Sequence, residues 1–367
     1  MLPEPEPEAR AASARLAERV RAELAADGNW IGFARYMEMA LHEPGLGYYA
    51  GGAAKLGAPG DFVTAPEMGT LFARTLARQI AELLQPGDAI LEFGAGSGAL
   101  AAALIAELAP ERYLILETSA ELAARQRARL GSRAQWIERL PERFRGVMLA
   151  NEVADAMPVH ALAWRREGVM ERGVSWIDGA LAWAERPAAG ELREAAHRLR
   201  VPVPYESEIA LVARAWMQLL AQRLERGALL VIDYGFPERE FYHPQRTMGT
   251  LMCHYRHRAH GDVFFHPGLQ DITAHVDFTA LARAARDGGL EVLGYCNQAR
   301  FLVDCGITEL LGDEDAGDVA RYAPLAAEAQ KLLSPAEMGE LFKVLAVGRG
   351  VRQPLLGFAN GDRSHTL

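Results

Sequence analysis

Three glycines within five residues, Gly94, Gly96 and Gly98, follow a short apolar run, Ala89 to Phe93, and precede an Ala/Leu-rich stretch, Ala99 to Leu108. A strand, a tight turn and a helix in that order can hold an adenosine-bearing cofactor across the carboxyl end of a parallel sheet. Such a turn needs glycine because the backbone must approach the ligand where a Cβ would collide. Taken alone, the turn fits two cofactors. Gly94-x-Gly96-x-x-Ala99 satisfies the dinucleotide pattern, with Glu117 about 20 residues further on. Glu92, two residues before Gly94, also makes the run Glu-x-Gly-x-Gly-x-Gly, the commoner form around S-adenosyl-L-methionine.

Three features favour S-adenosyl-L-methionine. A carboxylate at Glu92 can hold the loop or meet the cationic methionine end of that cofactor. The sheet begins only after about 88 residues of mostly helical character, whereas many dinucleotide enzymes begin with this turn. The fourth strand ends in Asn151-Glu152, with Asp155 nearby, which suits a sulfonium and a nucleophile better than a nicotinamide. Glu117 closes the second strand, where it can accept hydrogen bonds from two ribose hydroxyls; the plainer reading is a solvated loop carboxylate. Trp136-Ile137 closes the third strand, with Ile137 as an apolar wall for adenine and Trp136 equally readable as core. Thr64 and Glu67 have the spacing of a helix capping box, and Glu67 is alternatively a lid residue over the cofactor.

Methyl transfer from a sulfonium is an in-line displacement, so an enzyme must align the nucleophile and provide for a proton. A guanidinium nucleophile is cationic at neutral pH and calls for carboxylates that grip its fork. Glu152 and Asp155 are the candidates, against a helix-capping acidic pair. His275 is the candidate base or orienting group, against a satisfied structural histidine. Six of the ten histidines lie between His243 and His275, and His254-x-x-His257-x-x-His260 invites a metal reading. No carboxylate sits in a HExxH-like arrangement there, and transfer to nitrogen needs no metal, so no metal is expected.

The elements that must position these residues alternate. Strands at 89–93, 113–116, 134–137 and 146–150 are interleaved with helices at 99–108 and 120–130, the pattern of an open parallel α/β sheet. Helices are expected at 11–26, 31–41 and 66–84, and a Gly-rich loop between 44 and 60. Residues 160–185 alternate apolar and polar side chains around Asp178-Gly179, which reads as an antiparallel meander. Helices at 189–199 and 206–226, a strand at 229–232, a His-rich segment at 236–276, a helix at 277–287 and a strand at 290–295 follow. Helices within 299–333 and a last strand at 342–348 complete the reading. The division of the chain is then a disordered tail at 1–10, N-terminal helices and a lid loop at 11–85, and a cofactor-binding half at 86–160. An insertion at 161–226, the remainder of the sheet domain at 227–350 and a tail at 351–367 follow.

Composition narrows the partners. A net charge of −9 across 367 residues disfavours bulk nucleic-acid or anionic-membrane binding and tolerates a basic protein segment. Three cysteines without a CxxC pair make neither a disulfide framework nor a zinc site. No apolar run reaches membrane-spanning length, and the acidic, Pro-rich start reads as no targeting peptide, so the cytoplasm is the expected location. A homodimer is open.

Several segments together resemble the MidA-like family of methyltransferases, which includes a mitochondrial complex I assembly factor. They are Ile31-Gly32-Phe33-Ala34-Arg35-Tyr36-Met37, His42-Glu43-Pro44-Gly45-Leu46-Gly47-Tyr48-Tyr49, Gly60-Asp61-Phe62-Val63-Thr64-Ala65-Pro66-Glu67, the Gly-rich loop and Asn151-Glu152-x-x-Asp155-Ala156-x-Pro158-Val159. Asp233-Tyr234-Gly235, Gly249-Thr250-Leu251 and Asp271-Ile272-Thr273-Ala274-His275-Val276-Asp277-Phe278 follow in the family's order. The resemblance implies a seven-strand Rossmann-like class I methyltransferase sheet with an N-terminal helical extension and an inserted antiparallel and helical subdomain. In the mitochondrial member it implies symmetric dimethylation of an arginine, hence a protein substrate presenting arginine. Val153-Ala154 and Ala65 depart from the family's commoner residues, beside the expected pocket. A small-molecule methyltransferase and an assembly factor without catalysis are the competing functions.

Overall fold

In a computed structural model of the protein, the described residues are 2–51, 64–352 and 354–367. They divide into two compact units. One gathers Val63–Ala154, Ala215–Pro237 and Phe278–Leu367, the other Met1–Phe62, Asp155–Arg214 and Glu238–Asp277.

The first unit is built on a mostly parallel sheet. Seven of the sheet's eight strands form one hydrogen-bonded path: β1 (Ala89–Phe93), β2 (Arg112–Leu116), β3 (Gln135–Trp136), β4 (Phe144–Asn151), β5 (Leu224–Phe236), β6 (Glu291–Asn297) and β7 (Phe342–Arg349). Along the hydrogen-bonded path they lie in the order β6-β7-β5-β4-β1-β2-β3. Strand β1 runs parallel to β2 and β4, and β4 parallel to β5. Strand β7 runs antiparallel to both β5 and β6. Every side chain of β1 is buried, as in a strand covered on both faces. Ile90, Ile115, Leu149, Leu230 and Val344 carry one continuous core through the sheet. The chain proceeds outward from β1 through β2 to β3, then returns to the other side at β4. Such a reversal opens a crevice at the carboxyl ends of β1 and β4, the usual ligand position in open α/β sheets.

Two glycines set how closely the central strands enter the sheet. Gly146 and Gly227 pair with each other at φ +124° and +118°. A Cβ on Gly227 would stand 1.9 Å from the Gly146 carbonyl oxygen, and one on Gly146 2.0 Å from that of Ala89. Gly227→Ala must therefore separate backbones in the middle of the sheet. We expect a loss of roughly 3 kcal/mol or more, on the scale of overpacking plus backbone strain, read as a lowered midpoint in thermal denaturation.

The helix expected at 66–84 is two helices, Ala65–Met68 and Leu71–Leu83. Gly69 between them is extended, and a Cβ there would meet the Glu328 carboxylate at 2.0 Å. Glu328, from the helix Val319–Leu333, accepts the Phe72 N–H at 2.9 Å. A carboxylate 256 residues away in sequence thus satisfies an orphan donor at the start of Leu71–Leu83, where the helix dipole favours it.

The second unit holds the helices Pro7–Ala26 and Phe33–His42. Helix formation starts at Pro7, inside the segment expected to be disordered, because proline suits the first turn. The meander is present: Gly168–Ile177 pairs antiparallel with His160–Arg165 and with Ala180–Pro187. Asp178 and Gly179 form its two-residue turn, both at positive φ. The helix expected at 206–226 is instead a strand, Tyr205–Ile209, followed by the helix Leu211–Arg223. The strand forms because His160–Arg165 offers it an antiparallel partner, a tertiary pairing that local propensity does not reveal. Part of the His-rich segment also folds into strands, with Met252–Tyr255 between Arg258–His260 and Asp271–Thr273.

Candidate active site

The Gly-rich turn leaves β1 with Gly94, Gly96 and Gly98 at φ +58°, +54° and +78°. All three are left-handed, so each excludes a side chain at little cost only as glycine. The Gly94 N–H donates to Leu116 of β2 at 3.0 Å, and the Gly98 N–H to Ala95 at 2.7 Å. Gly98 then caps the helix Ala99–Leu108. Gly94 is solvent-exposed, so the bend opens outward rather than into the core.

Glu67 reaches this turn. Its carboxylate accepts a hydrogen bond from the Ser97 hydroxyl, whose oxygen also accepts from Arg129 at 3.0 Å. Thr64 does stand at the helix N-cap, but its side chain makes no capping hydrogen bond. The expected capping box is therefore absent, because Glu67 is engaged with the turn. The Gly60–Val63 part of that motif lies outside the described residues.

Glu117 stands at the end of β2, half-buried. One carboxylate oxygen accepts the Ser119 N–H and the other accepts Gln126 Nε2, each at 2.9 Å. Burial pushes its pKa up, and the bonds from Ser119, Gln126 and Thr118 oppose that rise. Trp136 donates from its indole to Gln126 Oε1 at 2.9 Å, with the Arg127 guanidinium over the ring. Ile137 is half-buried, and its N–H donates to Ile115. Sequence reasoning passed over Gln126. The available signal was a polar residue on the buried helical stripe Ala123–Gln126–Leu130.

Glu92 lies within β1 and is buried. Its carboxylate accepts the Tyr113 hydroxyl of β2 at 2.6 Å. Burial raises its pKa to about 7, the Tyr113 bond lowers it and the charge of Glu117 raises it.

On the other side of the reversal, β4 ends at Asn151 and the chain turns at Glu152. The Glu152 N–H donates to Ile232 of β5 at 2.9 Å, while its φ of +54° is left-handed. A non-glycine residue held there is strained by about 1–2 kcal/mol, and such strain gathers at functional positions. Asn151 Nδ2 donates to the Glu152 carboxylate at 3.3 Å. The next two N–H groups, of Val153 and Ala154, both donate to Asp233 Oδ2, at 3.2 and 2.9 Å. Asp233 is fully buried within the carboxyl-terminal part of β5 and fixes the turn that presents Glu152. Val153 approaches the first turn, its Cγ2 lying 3.4 Å from where a Gly94 Cβ would be. The structure thus brings Glu67, Glu92, Gly94, Gly96, Gly98, Glu117, Ile137, Asn151 and Glu152 into one unit, Glu67 on the helix Ala65–Met68 and the others within or just after strands β1 to β4.

Asp155 and His275 belong to the second unit. The Ala274 N–H donates to the Asp155 carbonyl at 3.0 Å, so the two expected segments adjoin. The His275 N–H donates to Thr250 Oγ1 at 3.1 Å, and that hydroxyl donates to the buried Glu208 carboxylate at 3.0 Å. Glu208, unremarked in the sequence, therefore sets the backbone that carries His275. Nearby, Tyr49 donates to Asp271 at 2.9 Å and His42 stacks on the Tyr49 ring. Among the described residues, no group of three or more His, Cys, Asp or Glu could hold a metal ion, and no helix is long and apolar enough to cross a membrane.

Residues 71–296 match a family model described as "Putative S-adenosyl-L-methionine-dependent methyltransferase". The chain is similar to the protein arginine methyltransferase NDUFAF7, mitochondrial, of Mus musculus, at 28% identity over 86% of this chain and 80% of the relative. The same protein of Danio rerio is 29% identical over 86% and 83%. Among solved structures, a COG1565 superfamily member from Burkholderia thailandensis bound to S-adenosyl-homocysteine is 49% identical, with a TM-score of 0.96 and full coverage of both chains. The left-handed glycine turn, and the carboxylate that closes β2 beside it, fit an adenosine-bearing ligand of that kind.

Proposed function

The chain belongs to the MidA-like family of S-adenosyl-L-methionine-dependent methyltransferases, and on that premise we propose that it methylates the guanidinium of an arginine presented by a protein. S-adenosyl-L-methionine supplies an electrophilic methyl group on a sulfonium. The Gly94–Gly98 turn carries the cofactor, Glu117 accepts its ribose hydroxyls, and Ile137 lines the adenine. Glu67 steadies the turn through Ser97, while Glu92 and Asn151 serve the methionine end. Glu152 pairs with the guanidinium, which gives up one proton as the methyl group is transferred.

The observation that carries this reading is Glu152: a carboxylate held in a left-handed backbone at the carboxyl end of β4, beside the topological reversal. A cationic, planar acceptor is what such a group would orient. The net charge of −9 suits a basic segment, and the relatives named arginine methyltransferases support the same acceptor.

The test uses methyl-labelled S-adenosyl-L-methionine with a pool of arginine-containing peptides, a pool with lysine in place of arginine, and a small-metabolite extract. Label confined to the arginine pool, with a 14-dalton increment on arginine in mass spectrometry, is expected. Label in the metabolite extract alone would overturn the protein substrate.

A further inference from the structure

We infer that Gln126 is a positioning residue for the cofactor ribose, acting through Glu117. The inference rests on the proposed reading of Glu117 as the ribose carboxylate. Gln126 is fully buried in the helix Ala120–Leu130, on the stripe it shares with Ala123 and Leu130. That stripe would be served by an apolar residue. The side chain instead spends its amide on three separate segments. Nε2 donates to the Gly96 carbonyl at 3.0 Å and to Glu117 Oε2 at 2.9 Å. Oε1 accepts the Trp136 indole N–H at 2.9 Å. The glycine turn, the end of β2 and strand β3 therefore meet at one carboxamide.

A carboxamide meets these three demands at once, because its nitrogen carries two N–H donors and its oxygen, on the same carbon, accepts. Glutamate would set a carboxylate against the Glu117 carboxylate and the Gly96 carbonyl. Leucine or methionine would fill the space and leave three polar groups unpaired, which is costly in a buried setting. With Gln126 on one oxygen and the Ser119 N–H on the other, the Glu117 carboxylate is pinned at both ends. Each oxygen retains a lone pair, so the plane in which it meets two vicinal hydroxyls is fixed before the ligand arrives.

Calorimetry on the full chain, with S-adenosyl-homocysteine and its 2′-deoxy analogue, separates positioning from packing. The wild-type protein should favour the hydroxylated ligand by about tenfold, the scale of one hydrogen bond to a charged group. Glu117→Ala should abolish that preference. Gln126→Met, close to the original in volume, should reduce it to about threefold or less, and Gln126→Glu should do the same. If Glu117→Ala keeps the full preference, the ribose reading falls and this inference with it. If Glu117→Ala loses the preference but Gln126→Met weakens both ligands equally, or neither, Gln126 is only structural. Failure of both Gln126 variants to fold, by circular dichroism, would likewise make the amide a folding requirement and overturn the positioning role.

Discussion

Replacing Glu152 with glutamine is expected to lower kcat by about 10²–10³-fold, the scale of one preorganised electrostatic contact. Affinity for S-adenosyl-homocysteine should stay within about threefold. The substitution keeps the shape and the Asn151 contact and removes the charge that would pair with a guanidinium. The backbone makes a second substitution more telling. Glu152 is held at φ +54° by its N–H bond to Ile232 and by the following N–H groups on Asp233. Glycine occupies that region without penalty, relieving about 1–2 kcal/mol of strain, and it adds back about 0.5–1 kcal/mol of unfolded-state entropy. Glu152→Gly should therefore melt at or slightly above the wild-type temperature while losing turnover. Steady-state kinetics beside thermal denaturation read both effects. Turnover of Glu152→Gln within about threefold of wild type would sink the assignment, and a strong loss of cofactor affinity would move Glu152 to the cofactor side instead.

The glycine turn, the carboxylate closing β2 and the polar pair closing β4 were legible because their chemistry is local. A strand, a bend at positive φ and a helix leave a contiguous signature, and the Asp178-Gly179 hairpin did the same. The mostly parallel α/β sheet followed from alternation and from the family resemblance together, whereas its strand order rests on pairings between distant segments. What escaped was contact between distant segments. Asp233 shapes the Glu152 turn from 80 residues away, and Glu208 reaches Thr250 across 42. Glu328 ends a helix start 256 residues earlier. Each is an acidic residue in a stretch whose pattern predicts only strand or helix, and its role exists only once the chain has folded back. Tyr205–Ile209 differs from its expected helix for the same reason, since a strand of five residues beside a long helix is visible only with its partner. Thr64 and Glu67 show the converse error. The capping-box spacing was present, but Ser97 offered the carboxylate a better use.

Glu92→Gln is expected to move stability and cofactor affinity in opposite directions above pH 7. The buried carboxyl has a pKa of about 7 against an ordinary 4.5, chiefly from burial. A group whose pKa is raised by folding stabilises the protein fully below its unfolded pKa, and that contribution is lost as pH rises through the folded one. At about 1.4 kcal/mol for each pH unit between the two values, the charged carboxylate costs the fold about 3 kcal/mol above pH 7. Glutamine can still accept the Tyr113 hydroxyl and carries no charge. Urea denaturation should therefore show the variant close to wild type near pH 4.5 and more stable by up to about 3 kcal/mol at pH 8. A chain that retains the carboxylate against such a gradient has a use for the negative charge, and the cationic methionine amine is the partner proposed for it. Binding of S-adenosyl-homocysteine to the wild-type protein should then tighten as pH rises through about 7, and in Glu92→Gln that dependence should flatten. Parallel affinity profiles in the two proteins would leave Glu92 a structural carboxyl bonded to Tyr113. A variant less stable than wild type at pH 8 would mean that the carboxylate is better solvated than its burial between β1 and its neighbours implies.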